Sequence, residues 1–260
     1  MIKIFQNFFI KVSPTAIYNQ ISLLKFCYNF KNLLYNRCMN KVAIIFDLDG
    51  TLLNTLDDLA DSTNYALKQF NYPQRTIEEV RKFVGNGVAK LIERAIPDGR
   101  NNPNFEECLE IFKKHYSQNM YNKTAPYDGI IPMLSSLHKE GYKIAVVSNK
   151  FDAAVKELCA KYFPYLIDVA IGENEAQGIR KKPAPDTVNL ALRDLGLCSP
   201  ESAIFCGDSE VDILTAQNSQ MPCISVTWGF KDRKFLIEYN AKIIIDNPQE
   251  IKNILVNYTE

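Results

Sequence analysis

Two acids separated by one leucine, Asp47 and Asp49, stand between a short apolar run and the pair Gly50-Thr51. Such a pair can divide the labour of group transfer, one carboxylate attacking an electrophile while its neighbour handles the proton. The run Val42-Ala43-Ile44-Ile45-Phe46 is β-branched at Val42, Ile44 and Ile45, which predicts a strand buried on both faces in a parallel sheet. Carboxylates at the carboxyl end of such a strand fall where open α/β sheets keep their ligand crevice. Alternation along an extended chain points Asp47 and Asp49 the same way, and Gly50 permits a sharp exit. The plainer alternative is a strand ending in a turn, because Asp and Gly are also turn residues.

Two more predicted strands end in polar residues. Lys143 to Val147 runs into Ser148-Asn149-Lys150, and Ala203 to Cys206 runs into Gly207-Asp208-Ser209-Glu210-Val211-Asp212. Between them Lys182 precedes two prolines, Pro183 and Pro185, that stiffen its backbone. Each group has an ordinary reading. Ser148-Asn149 could cap a helix beginning near Asp152, Lys182-Pro183 could be an exposed loop, and Asp208 and Asp212 could serve a helix N-terminus. Together, in this order and after these strands, they describe a site for a phosphate and a hard cation. Carboxylates without His or Cys suit Mg²⁺, while Ser148 and Lys182 can hold phosphoryl oxygens by hydrogen bond and by charge. The cation matters: a carboxylate meets a phosphate oxygen with a repulsion of roughly 4 kcal/mol per pair of unit charges at about 4 Å and an effective dielectric near 20. A dication and Lys182 reverse that sign in a reaction that is mostly positioning and charge neutralisation.

The elements that must position these residues follow from periodicity. Strands alternate with helices over 126–260, with further strands at Val169 to Ile171, Cys223 to Val226 and Lys242 to Ile245. Joined to the first strand, they predict an α/β core over 39–53 and 126–260, a doubly wound, mostly parallel, Rossmann-like sheet. Residues 54–125 carry helical signals only and predict an inserted all-helical cap. Leu56, Leu59, Ala60, Thr63, Leu67 and Phe70 share a face, Thr76 and Glu79 form a capping box, Val88, Leu91, Ile92 and Ala95 follow, and Asn104 with Glu107 opens another helix.

Thirty basic residues balance thirty acidic ones in 260, so no charge excess points to a nucleic-acid partner. The seven cysteines are scattered without a C-x-x-C pair, which argues against zinc and for reduced thiols in a cytoplasmic protein. No apolar run is long enough for a transmembrane segment. Residues 1–38 contain five basic residues and no acid. They are expected to be a leader outside the fold, non-native or dispensable, with a surface anchor as the weaker alternative.

In these four motifs, Asp47-Leu48-Asp49-Gly50-Thr51, Ser148, Lys182-Pro183 and Gly207-Asp208-Ser209 with Asp212, the chain resembles the haloacid dehalogenase superfamily of phosphohydrolases from about Lys41 onward. The resemblance implies Asp47 as a nucleophile that forms an aspartyl-phosphate and Asp49 as the acid and base. It also implies Asp47, the Asp49 backbone carbonyl and Asp208 as ligands of Mg²⁺, Asp212 in support, and Ser148, Asn149 and Lys182 on phosphate. The stretches Phe83 to Leu91 and Thr227-Trp228-Gly229-Phe230 look like those of phosphoglycolate phosphatases, with Asn86 and Gly87 near the substrate. The expected substrate is then a small phosphate ester such as 2-phosphoglycolate, and the expected assembly a monomer or homodimer. A sugar-phosphate mutase of the same superfamily is the alternative enzyme. A phospho-aspartate signalling module is the alternative from another class, disfavoured by the order of its acids and by the insertion.

Overall fold

A computed structural model describes residues 43–257; the expected leader, 1–38, lies outside them. Strand β1 (Ala43–Phe46) is central in a six-stranded sheet with β4 (Lys143–Phe151), β5 (Val169–Glu173), β6 (Ala203–Gly207), β7 (Cys223–Val226) and β8 (Ile243–Ile245). The spatial order is β5-β4-β1-β6-β7-β8, and every neighbouring pair is parallel. The chain runs outward on one side of β1, returns, and runs outward on the other. That arrangement places a topological switch point between β1 and β6, where doubly wound sheets open their crevice.

Burial explains the apolar strand sequences. Ile44 and Phe46 join one core cluster, and Ala43 and Ile45 the cluster on the opposite face. The same alternation holds in β4, with Ile144 and Val146 on one side and Ala145 and Val147 on the other. Helices α5 (Ile130–Lys139), α6 (Asp152–Tyr162), α7 (Asp186–Asp194) and α8 (Glu210–Asn218) connect the strands.

Between β1 and β4 the chain makes a helical excursion of α1 (Leu56–Gln69), α2 (Ile77–Phe83), α3 (Val88–Ala95) and α4 (Phe105–Asn119). The predicted face of α1 is buried from Leu56 to Leu67, and the Thr76–Glu79 capping box opens α2. At the base of the excursion two short strands that periodicity did not reveal, β2 (Leu53–Asn54) and β3 (Ala125–Pro126), pair antiparallel. Buried Asp58 ties the outgoing and returning chain together there, accepting hydrogen bonds from the Lys123 and Thr124 backbone N–H groups and the Thr124 hydroxyl.

Strand β4 continues through Ser148, Asn149 and Lys150 to Phe151, and α6 is capped at Phe151 without a side-chain bond. Ser148 and Asn149 are therefore not a helix cap; they remain in the sheet because their polar atoms find partners within the site. Helices α9 (Arg233–Glu238) and α10 (Glu250–Asn257) were not anticipated.

Candidate active site

Three adjacent strands deliver the acids and the polar dyad to one edge. Asp47 follows β1, its backbone N–H donating to the Cys206 carbonyl of β6. Leu48 is buried behind it, so Asp47 and Asp49 face the same cavity, as alternation predicted. Gly50 then turns at φ 93, and a Cβ there would run into the Asp208 carboxylate. Gly229 packs as closely, its missing Cβ leaving room for the Gly50 carbonyl and the Asp208 side chain. The stretch after β7 thus encloses Asp208. The Phe230 N–H donates to Asp208 Oδ2 at 2.7 Å, the Thr51 hydroxyl to Asp208 Oδ1 at 3.3 Å, and Trp228 Nε1 to the Thr51 carbonyl at 3.0 Å.

Lys182 is no exposed loop residue. It is buried, and its ammonium donates to Asp47 Oδ1 and Asp212 Oδ1, each at 2.7 Å. Asp212 does serve a helix N-terminus as well: its Oδ2 accepts from the Ser209 N–H and hydroxyl in the box that opens α8. Asn149 is committed to Lys182. Its Oδ1 accepts from the Lys182 N–H at 2.8 Å, and its Nδ2 donates to the Lys182 carbonyl at 3.0 Å and the Gly85 carbonyl at 3.2 Å. That side chain therefore aims the lysine, and any part Asn149 takes in phosphate binding falls to its backbone. Ser148 lines the cavity beside Asp47 and Asp49.

The opposite wall comes from the helical excursion: Leu59 of α1, Val84, Gly85 and Gly87 of the α2–α3 connection, and Val88 and Leu91 of α3. Gly87 thus lines the cavity. Asn86 does not line the cavity; its Oδ1 accepts from Arg94 Nη2 at 2.9 Å. The cavity measures about 40 Å³, room for only a few water-sized groups.

Lys150 was given no role by sequence reasoning. Its ammonium meets both oxygens of Asp49, at 3.1 and 3.0 Å, with the side chain 1% exposed. A lysine after a strand normally reads as a solvated end, so the signal was no stronger than its place beside Ser148-Asn149.

Charge at this edge is unbalanced. Ligand atoms of Asp47, Asp208 and Asp212 lie within 4.8 Å of one another, and the Lys182 ammonium is the cation bonded among them. Burial pushes the Asp47 carboxyl up to about 7, with Lys182 working against the rise and Asp212 adding to it. Burial, then Asp212 and Asp47, push Asp208 well above the usual carboxylate range. Burial alone would lower Lys182, but Asp212 and Asp47 outweigh it and hold the ammonium above its ordinary value. Among the described residues, three carboxylates facing one ammonium leave a deficit that a divalent ion matches, and the all-oxygen donor set suits a hard one.

This imbalance has a consequence for stability. A carboxyl raised in the folded state contributes stability that is present below its unfolded value, 3.8 for Asp47, and is lost as pH rises through about 7. Asp208 acts in the same sense. Metal-free protein should therefore weaken as pH rises through this window, and Mg²⁺ should offset the loss. Thermal melts with EDTA or Mg²⁺ check this: the gain in Tm from Mg²⁺ should be larger at about pH 8 than at about pH 5. An equal or smaller gain at the higher pH would contradict the charge deficit.

Comparison with known proteins gives a consistent result. Residues 44–226 match the family model described as haloacid dehalogenase-like hydrolase. The phosphoglycolate phosphatase of Aquifex aeolicus is 30% identical over 224 residues, which cover 83% of this chain and 97% of that protein. The phosphoglycolate phosphatase of Haemophilus influenzae is 31% identical over 218 residues, covering 81% and 96%. A crystal structure of a candidate phosphoglycolate phosphatase from Lactobacillus delbrueckii subsp. bulgaricus superposes with a TM-score of 0.78 at 35% identity, over 84% of this chain and 99% of the other.

Proposed function

The chain belongs to the haloacid dehalogenase-like hydrolase family, and from that premise we propose that it hydrolyses a small phosphate monoester, 2-phosphoglycolate in particular, through an aspartyl-phosphate on Asp47. The observation that carries this reading is Lys182 bonded at once to Asp47 and Asp212, beside Asp208, at the sheet's switch point.

Asp47 is the nucleophile. Lys182 neutralises part of its charge and that of the incoming phosphoryl group, and the Ser148 hydroxyl donates to a phosphoryl oxygen. Asp49 gives a proton to the departing ester oxygen and then takes one from the water that releases phosphate. Asn149 acts by fixing Lys182. Asp47, Asp208 and the Asp49 backbone carbonyl would hold Mg²⁺, which when bound supplies positive charge at the phosphoryl oxygens. Asp212 stands behind them, because its oxygens already accept from Lys182 and Ser209.

Residues 54–125 act as the cap over the α/β core, excluding water during transfer. This reading is supported by the cavity wall from Leu59 to Leu91. The narrow cavity favours a small substrate, and the relatives' names supply the candidate. We place the activity in the cytoplasm, supported by free thiols at Cys108, Cys159, Cys206 and Cys223; no helix among the described residues is long and apolar enough to cross a membrane.

A panel of small phosphate esters, assayed with Mg²⁺ and with EDTA, tests the proposal. Turnover that requires the metal and prefers 2-phosphoglycolate is expected. Metal-independent turnover would remove Asp208 from its role, and preference for a sugar phosphate would overturn the substrate.

A further inference from the structure

The two acids of the first motif have separate buried cations. Lys182 serves Asp47, and Lys150 serves Asp49. Lys150 comes from β4 and is fixed on more than one side. Both Asp49 oxygens accept from its ammonium, and the ring of Tyr116, on α4 of the helical excursion, lies 4.4 Å away. Tyr116 is itself fully buried, stacked on Phe112 and edge-on to Phe151. Burial would lower the Lys150 ammonium, but Asp49 and Tyr116 outweigh it and keep the group charged.

We propose that Lys150 is a positioning residue: it orients the Asp49 carboxylate for proton transfer and ties that orientation to α4 through the face of Tyr116. The inference rests on the phosphatase reading above. A carboxylate on a short side chain beside an open cavity has rotamers that do not reach the reacting oxygen, and a buried ammonium bridging both its oxygens removes most of them. A cation over an aromatic face is attracted to it, most strongly where water is excluded. The excursion and the acid–base residue are therefore joined through one side chain.

The step affected is defined. As the Asp47 oxygen bonds to phosphorus and the ester P–O bond breaks, the Asp49 proton passes to the departing alkoxide. In the second half, water adds its oxygen to phosphorus, gives its proton to Asp49, and the Asp47 ester opens to release phosphate. An alkoxide needs that first proton, whereas a nitrophenolate leaves without it.

Lys150→Met should therefore lower kcat/KM for 2-phosphoglycolate about a hundredfold, but for para-nitrophenyl phosphate less than about fivefold. With the aryl ester, nitrophenolate should appear in a burst equal to the enzyme present, because the second half still needs Asp49. In an Asp49→Asn background the same substitution should cost nothing further in kcat/KM. Equal losses on both esters, or full additivity with Asp49→Asn, would overturn the role. If Lys150→Met does not fold, Lys150→Gln carries the same comparison, and Tyr116→Leu must shift the ratio of the two esters in the same sense; an unshifted ratio overturns the link to α4. Wild-type protein that turns over neither ester refutes the phosphatase reading instead, so the two failures are distinguishable.

Discussion

Asp47→Asn is expected to cut turnover of every phosphate ester by about 10⁴-fold or more, the scale seen when a nucleophile that acts with its neighbours as a unit is removed. The fold should survive. Asparagine keeps the shape of the side chain and an oxygen that can accept from Lys182 where Asp47 now does. It also takes one ionisable group out of a cluster whose members raise one another by burial and repulsion. Metal-free Asp47→Asn protein should thus melt no lower than wild type at about pH 8, where the Asp47 charge is most costly. Steady-state assay and thermal melts check both halves. Retained activity would remove Asp47 from its role, and a collapsed Tm would show that its loss reports unfolding.

The second large effect belongs to Lys182→Met. The lysine is buried between Asp47 and Asp212, with its side chain 3% exposed, and removing one partner of a buried ion pair costs about 3–5 kcal/mol. Here the loss strands carboxylates that already lack enough positive charge. Denaturant unfolding of metal-free protein at about pH 8 should show a deficit of about that size, shrinking toward about pH 5 as the acids take up protons. Mg²⁺ should recover part of the stability but not the activity, because the phosphoryl group would still lack its ammonium. A variant as stable as wild type at both pH values would mean that the acids do not depend on Lys182.

Much of this architecture was legible beforehand, and for identifiable reasons. β1 is apolar on both faces because both are covered, so Ala43 to Phe46 announced a central parallel strand. Asp208 and Asp212 stood out for the same reason, as acids directly after a second apolar strand. The helices of the excursion carried 3.6-residue periodicity and, in Thr76 and Glu79, an explicit start signal. β2 and β3 are two residues each, too short for any periodicity to show. α9 is six residues long, and its one signal, Asp232 accepting from the Phe235 N–H, is easily taken for a turn.

The contacts in the site that the sequence did not show are those whose partners lie far away in the chain. Lys150 looks solvated in sequence and is buried in fact, because Asp49 lies 101 positions earlier in the chain. Phe230 acts through its backbone N–H on Asp208, a contact that no side-chain pattern encodes. Asn149 was expected on phosphate, but its amide is matched to the Lys182 backbone. In each case residue type suggested polarity, and only the fold supplied the partner.

The proposed reaction requires that phosphorus become bonded to Asp47. Asp49→Asn protein given para-nitrophenyl phosphate and Mg²⁺, quenched in acid within its first turnover and cleaved for mass spectrometry, should carry one phosphoryl group on the peptide that contains Asp47. The same treatment of Asp47→Asn should leave that peptide unmodified. A phosphoryl group on another residue, or nitrophenolate released with no covalent phosphate at any quench time, would contradict it.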